Sequence, residues 1–408
     1  MAKRSASVEL AQTIHSRYKK RRMPKPQAPP DLPGLILRES GNLCNDESKG
    51  LTSGYADSHS MRPSRRGDFD IAIICALPLE YDAVSYTFDE FWDDDGDQYR
   101  RAAGDINHYT TGRMGNYSVV LALLPQMGNA GAASAAASMR SSYTGVRLAL
   151  LTGVCGSVPR VDQHEEIFLG DVIISKTVSQ YDIGWHYPDR FVRKNTVEDN
   201  LGRANKDIRG LITIFETDRG IDQLEEGTAH FLQRLQDNAA QRRRRGKYDY
   251  PGIAEDNLFE PTHRHKHHKA PTCICRHCVE DSDSVCEKAL SSPCKDLGCD
   301  DEQHIARRRL HDSNSDTPQP TVHVGAVASG DKVIKSAAER DRLSREAGVI
   351  AFETEGAGIW DEVPCIVVKG VRDYADSHKH PGWQNYAAAA AAAASRAILE
   401  RYIRTDKF

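Results

Sequence analysis

Three carboxylates stand where apolar runs of this sequence stop: Glu80 after DIAIICALPL, Glu355 in AFETEGAG and Asp373 after VPCIVVKGVR. Side chains at the carboxyl ends of parallel strands face a common crevice. Carboxylates gathered there can stabilise a developing cation or transfer a proton. Each has a plain structural use as well: Glu80 as an acid in the first turn of a helix, Glu355 as partner of a buried donor, Asp373 as an N-cap. Their shared position at strand ends favours convergence on one cleft, and Glu353 lies beside Glu355. Gly153 and Gly156, in LTGVCGSVP, let the backbone approach a ligand closely. A second constellation is CICRHC, with Cys273, Cys275 and Cys278, followed by Cys286, Cys294 and Cys299. Tetrahedral zinc uses cysteine pairs separated by about two to four residues. Cys275 with Cys278 fits that spacing, and Cys294 with Cys299 fits it more loosely, so a structural zinc site in this stretch stands against a merely reduced loop.

The elements that must position these groups are legible in the texture of the chain. Strands buried on both faces read as continuous apolar runs. Such runs are DIAIICAL from Asp70, YSVVLALL (117–124), VRLALLTGV (146–154), DVIISKTV (171–178), VHVGAVASG (322–330) and VPCIVVKGV (363–371). Between some of them are helical stretches: Gly128 to Tyr143 is Ala-rich, Lys335 to Ala347 is charged and amphipathic, and Tyr386 to Tyr402 carries an unbroken run of alanines, the strongest helix formers. Strands alternating with helices predict an α/β fold with a mainly parallel sheet. Residues 1–67, rich in Pro, Ser and basic residues, read as a disordered leader whose Lys3-Arg4 and Lys19-Lys20-Arg21-Arg22 look like a nuclear localisation signal. Between 221 and 321 the α/β texture disappears, with basic runs at Arg242 to Arg245 and Arg307 to Arg309 and HRHKHH at 263–268. Strands resume at Val322, so this segment reads as an insertion into one domain spanning 68–408.

Composition narrows the class. The 408 residues carry 54 Lys and Arg against 58 Asp and Glu, a formal net charge of −4, which excludes a globally basic nucleic-acid binder. The basic clusters of the insertion read as solvated surface. No stretch reaches the ~20 apolar residues needed to span a bilayer, and MAKRSASVEL lacks the apolar core of a signal peptide. A soluble protein of the cytoplasm or nucleus is the expectation, and with it ten cysteines that are reduced or metal-bound. Cys75, Cys155 and Cys365, in apolar runs, read as small buried hydrophobes.

The order DIAIICALPLE, LTGVCGSVP followed by GDVIIS, VASGD, FETEGAG and VVKGVRDYAD resembles the nucleoside phosphorylase and nucleosidase superfamily, in particular its methylthioadenosine/S-adenosylhomocysteine nucleosidase branch. The resemblance covers roughly residues 68–220 and 322–405, and DYADSHKHPGWQNYAAAA is similar to the version found in fungal signalling proteins. It implies a three-layer α/β/α nucleoside phosphorylase fold with a mixed, mainly parallel sheet, here carrying a Cys/His-rich insertion. It implies too a small-molecule partner, a purine nucleoside or nucleotide, and assembly into homo-oligomers.

Residue by residue, the resemblance assigns Asp373 as general acid toward the departing base, Glu80 as the group that orients water, and Glu355 as acceptor of the ribose hydroxyls. Val154, Cys155 and Gly156 match the loop beside sugar and base; Ser329, Val333 and Ile334 match the segment lining the base; Glu353 and Thr354 accompany Glu355. Phosphorylases of the superfamily place arginines where this chain has Glu80 and Leu151. A carboxylate repels phosphate, so hydrolysis of the N-glycosidic bond is expected over phosphorolysis, without a metal or other cofactor. Two departures bear on activity. Thr354 replaces a methionine that packs beneath the ribose, and Arg372 replaces a small residue before the acid, where it can lower the pKa of Asp373. A non-catalytic nucleotide sensor is therefore the rival from another class. In YDIGWHYPDRF, Trp185 and Phe191 are candidates to cover the ligand, and an adenine nucleotide such as ATP would call for arginines of the kind found in the insertion.

Overall fold

The centre of the fold is a run of strands that are apolar on both faces. The structure, a computed structural model, describes residues 62–403 except 95, 97, 163, 164, 197, 281, 282, 300 and 308–317. The two basic runs of the expected leader, Arg308 and Arg309 lie outside the described residues.

In chain order the larger elements are β1 (Ile71–Cys75), α1 (Pro78–Ser85), β2 (Glu90–Phe91), β3 (Tyr109–Met114), β4 (Tyr117–Leu123), α2 (Asn129–Ser142), β5 (Leu148–Ser157) and β6 (Val172–Gln180). After the hairpin β7 (Gly184–His186) and β8 (Phe191–Arg193) come α3 (Lys206–Phe215), α4 (Asp218–Gln241) and the short α5 (Cys294–Leu297). The chain ends in β9 (Val322–Ser329), α6 (Ala337–Ala347), β10 (Val349–Glu353), α7 (Gly356–Trp360), β11 (Cys365–Asp373) and α8 (Trp383–Arg401). The main sheet runs β10-β9-β6-β11-β5-β1-β4-β3-β2. The pairs β1–β4, β1–β5, β5–β11, β6–β9 and β9–β10 are parallel, while β2–β3, β3–β4, β6–β11 and β5–β10 are antiparallel. The sheet is thus mixed and mainly parallel. Because β10 pairs with both β9 and β5, one end of the sheet closes on itself.

Helices cover both faces. In β11, Val367 packs against Gly356 of α7, whereas Gly370 faces Ala387 of α8. Residues three apart in a strand point to opposite faces, so α7 and α8 lie on either side of the sheet and the domain has three layers. α8 is buried nearly along its whole length, Trp383 to Leu399, and its alanines let it sit close to the strands. Thr152 of β5 hydrogen-bonds Ser395 of α8 at 2.7 Å, pinning the helix to the central strand.

Two boundaries differ from the sequence reading. Residues before 68 already pack with the domain, since the Arg62 guanidinium Nε lies 3.3 Å from the Tyr99 hydroxyl. The texture change at 221 falls inside α4, a helix that buries Leu224, Leu232 and Leu235 in the main core against α8. Irregular structure with short helical turns follows after Gln241. Arg307 is no surface cation: it is 3% exposed and donates to Tyr374 and to the carbonyls of Ile167 and Pro159. No helix among the described residues is long and apolar enough to cross a membrane.

Candidate functional site

Strand register assembles the site. Gly156 of β5 pairs with Phe352 of β10 and with Asp373 of β11, so three strands meet at this glycine. A Cβ there would sit 2.8 Å from Asp373 Oδ1, closer than such atoms approach. Gly153 is needed in the same way, because a Cβ would lie 2.4 Å from Glu80 Oε1. One cleft at this junction is lined by Glu80, Val154, Cys155, Gly156, Val333, Ile334, Glu353, Thr354, Glu355 and Asp373. It also takes in Ala76, Leu77, Met127, Lys332, Phe352, Arg372, Ala375 and Lys379.

Glu80 is the third residue of α1, where its carboxylate caps the helix start. Oε2 accepts from the amides of Ala76 and Leu77, each at 2.9 Å, and Oε1 accepts from Val154 at 2.8 Å. The helix-start role and the cleft position therefore coexist. Burial raises its pKa, with the Lys369 cation and the amides of Val154 and Leu77 working against that rise.

Glu355 faces Lys369 Nζ at 3.3 Å and accepts a hydrogen bond from the Thr354 hydroxyl. Thr354 thus adds a polar contact to this carboxylate. Glu353 is turned to the backbone, accepting from the amides of Glu355 and Gly356 at 2.9–3.0 Å. Burial raises its pKa. Lys369, 1% exposed, lies between these acids. Burial alone would lower its pKa, but Glu355, Glu80 and Glu353 together raise it, so it stays charged. Sequence reasoning missed Lys369. The available signal was a lone cation inside the otherwise apolar VVKGV.

Asp373 is paired with two cations. Oδ2 meets Lys379 Nζ at 2.7 Å and Arg372 Nε at 3.0 Å, and Oδ1 accepts from the amide of Ala375 at 2.9 Å. Burial pushes the carboxyl up, but the Lys379 and Arg372 cations outweigh it and hold it below the ordinary carboxylate range. Arg372 thus acts in the direction its position in the sequence suggests. Lys379, six residues beyond the strand end in DYADSHKH, was not singled out.

Three sequence candidates are not among the lining residues. Ser329 is fully buried behind the cleft, donating to Asn129 Oδ1 and accepting from the Ala357 amide. Trp185 and Phe191 sit on the β7–β8 hairpin. Trp185 is half-exposed with Lys194 over its ring, whereas Phe191 carries Lys332 Nζ at 5.4 Å and so borders the cleft rim. Of the insertion's basic run, Arg242 packs over Tyr86 and Phe91, and none of Arg242 to Arg245 lines the cleft.

The cysteines group differently from their spacing. Cys275 converges with Cys273, Cys286 and His267, and Cys294 with Cys299, His265 and His378. Cys278 belongs to neither set; its Sγ faces the Ser284 carbonyl at 3.1 Å. Either set could hold a metal ion.

Residues 70–241 match the family model described as Phosphorylase superfamily. A protein of Hyaloscypha variabilis described as a nucleotide-binding leucine-rich repeat (NLR)-like protein is 30% identical over 354 residues, 85% of this chain and 31% of the relative. The chain therefore spans about a third of that relative's length. Among solved structures, a Helicobacter pylori 5′-methylthioadenosine/S-adenosyl homocysteine nucleosidase superposes with a TM-score of 0.46 at 14% identity, covering 82% of this chain and 99% of that one. Futalosine hydrolase of the same organism gives 0.45 at 13% identity, with 82% and 98% covered.

Proposed function

We propose that the chain, whose residues 70–241 match the Phosphorylase superfamily model, binds a purine nucleoside or nucleotide in its cleft and hydrolyses the N-glycosidic bond, releasing the free base. The observation that carries this reading is the convergence of Glu80, Glu355 and Asp373 on one cleft at the junction of β5, β10 and β11. Cleavage builds positive charge on the ribose and negative charge on the base. In this reading Glu355 accepts hydrogen bonds from the ribose hydroxyls and its charge stabilises the developing cation. Glu80, fixed by three backbone amides, offers its remaining lone pairs to the attacking water. Asp373 faces the base, where positioned proton transfer is worth about 10²- to 10⁴-fold in rate.

A second reading rests on a specific observation. Asp373 is held as a carboxylate by two cations, which suits it to accept a hydrogen bond from a bound base better than to protonate one. That arrangement supports a site that binds a nucleotide without turnover, and a relative described as nucleotide-binding agrees with it. We further propose that an N-terminal leader precedes a single domain interrupted by the insertion, that the protein assembles as homo-oligomers in the cytoplasm or nucleus, and that its partner is the small molecule, not nucleic acid or membrane. The reaction as drawn uses no cofactor.

The test is release of base from adenosine, inosine, methylthioadenosine and ATP, with and without phosphate, wild type beside Asp373→Asn. Release without phosphate, lost by at least about 100-fold in the variant, supports the hydrolase. Release that requires phosphate makes the protein a phosphorylase. No release from any of the four leaves the binding role.

A further inference from the structure

The inserted segment has almost no core of its own. Its separate apolar cluster consists of buried Cys275, Ala289 and Leu297. Segments with so little to bury are ordinarily held by disulfides or metal. None of the cysteines among the described residues is in a disulfide. What the segment does have, with His378 supplied from beyond β11, is two sets of four soft ligands, and in each the donor atoms lie within 4.8 Å of one another; a smaller group, His263, His268 and Cys299, shares Cys299 with the second set.

The distances within the sets decide what they are for. Zinc takes sulfur at about 2.3 Å and nitrogen at about 2.0–2.1 Å in tetrahedral array, which places sulfur and nitrogen about 3.6 Å apart and two nitrogens about 3.4 Å apart. In the first set the Sγ atoms of Cys273, Cys275 and Cys286 lie 3.8, 3.8 and 3.4 Å from His267 Nδ1. In the second, Cys294 Sγ is 3.7 Å from His265 Nδ1 and 3.5 Å from His378 Nδ1, Cys299 Sγ is 3.8 Å from His265 Nδ1, and the two Nδ1 atoms are 3.4 Å apart. Hydrogen bonding does not account for three thiols converging on one ring nitrogen, which has a single site to offer.

The surroundings select the ligating tautomer. His265 Nε2 lies 2.9 Å from the Ser292 carbonyl and His378 Nε2 lies 3.0 Å from the His263 carbonyl. A carbonyl only accepts, so both rings carry their proton on Nε2 and present a bare Nδ1, the arrangement that outer hydrogen bonds impose on metal-bound histidines. Phe259 stacks on the His378 ring at 4.1 Å, fixing its plane. In the first set the Cys286 amide points at Cys275 Sγ from 3.4 Å, as suits a thiolate.

We propose that the insertion binds two zinc ions, one on His267, Cys273, Cys275 and Cys286, the other on His265, Cys294, Cys299 and His378. The sites interleave, because His265 and His267 leave the chain two residues apart toward different metals. The second site does more than fold the insertion. His378 belongs to the segment that leaves β11 after Asp373, and its neighbour Lys379 is the cation 2.7 Å from that carboxylate. Zinc at this site ties the insertion to the wall of the cleft and sets where Lys379 stands.

The experiment is metal analysis of the full chain, purified under reducing conditions with zinc present, for wild type and the variants Cys286→Ser, Cys294→Ser and Cys278→Ser. Two zinc ions per wild-type chain, one in each of the first two variants and two in Cys278→Ser are expected. Cobalt exchange, which needs no variant to fold, should give the intense visible bands of tetrahedral thiolate sites. Hydrogen exchange should show residues 374–380 losing protection in Cys294→Ser and not in Cys286→Ser. Wild type without zinc, or with octahedral cobalt spectra, overturns the proposal. Loss of zinc in Cys278→Ser overturns the ligand sets, and unchanged protection in Cys294→Ser overturns the tie to the cleft.

Discussion

At the scale of single residues the cleft is governed by how charge is shared around Asp373. Lys379 and Arg372 hold it below the ordinary carboxylate range in spite of burial. A group with a depressed native pKa adds stability above its unfolded value of about 3.9, and that stability is lost as pH falls through the lower native value. Activity runs the other way if Asp373 is the acid, because only its protonated fraction works and that fraction falls about tenfold for each unit of pH above the pKa. Replacing Lys379 by Met removes one cation and lets burial raise the carboxyl. Base release by Lys379→Met should therefore exceed wild type at pH 7, with its alkaline limb moved to higher pH, while the variant loses less stability than wild type on acidification below about pH 4. Rates and denaturation midpoints across pH check both halves. A limb that does not move shows that Asp373 is not the proton donor. The three carboxylates were legible because each follows an apolar run. Lys379 was not, and Lys369 was legible only as a lone cation in an apolar run, since a lysine in a sequence gives no sign of which acids the fold will bring to it.

At the scale of elements, what was legible was the longer apolar runs that bury both faces. The runs at 71–75, 117–123, 148–157, 172–180, 322–329 and 365–373 became strands, and the Ala-rich stretches became α2 and α8. β3, with the half-buried YTTGRM, and β10, five residues set between two helices, lack a long apolar run and escaped notice. α4 escaped because its buried residues, Leu224, Thr228, Leu232, Leu235 and Ala239, form a narrow stripe in a charged helix. The cysteines failed for a related reason. Spacing joins Cys275 to Cys278, but the fold brings in His267 and Cys286 instead, and reaches 84 positions along the chain from Cys294 to His378. The close seat of α8 on β11 can be tested directly. A Cβ on Gly370 would meet the Ala387 carbonyl at 1.9 Å, backbone that cannot move aside alone. Gly370→Ala should lower stability by about 1–3 kcal/mol or more, read as a reduced denaturant midpoint. Gly210→Ala in α3, with open space around the new methyl, should raise it by about 0.5–1 kcal/mol. Equal effects at the two sites would show that α8 does not pack so tightly.

At the scale of the molecule, the cleft draws its walls from segments far apart in the chain. Glu80 comes from the start of α1, Val154 to Gly156 from β5, Lys332 to Ile334 from the stretch after β9, Glu353 to Glu355 from the end of β10 and the turn into α7, and Asp373 from β11. A ligand that bridges these segments exists only on the folded chain and must stabilise the whole of it, by about 2.7 kcal/mol at a hundredfold excess over its Kd. That coupling separates binding from chemistry in a way that base release does not. Non-hydrolysable nucleoside analogues should raise the unfolding temperature of wild type and of Asp373→Asn alike, because the substitution keeps the cleft shape and removes only the ionisable group. Glu355→Gln should lose most of the ligand-induced shift, since the charge that accepts the ribose hydroxyls is gone; its own baseline, altered by the lost pairing with Lys369, is subtracted. A shift in both proteins with no base released by wild type would make this a nucleotide-binding module. A shift accompanied by turnover that Asp373→Asn abolishes would make it an enzyme. The absence of a shift with every purine nucleoside and nucleotide tried would remove the ligand class itself, and with it both readings of the cleft.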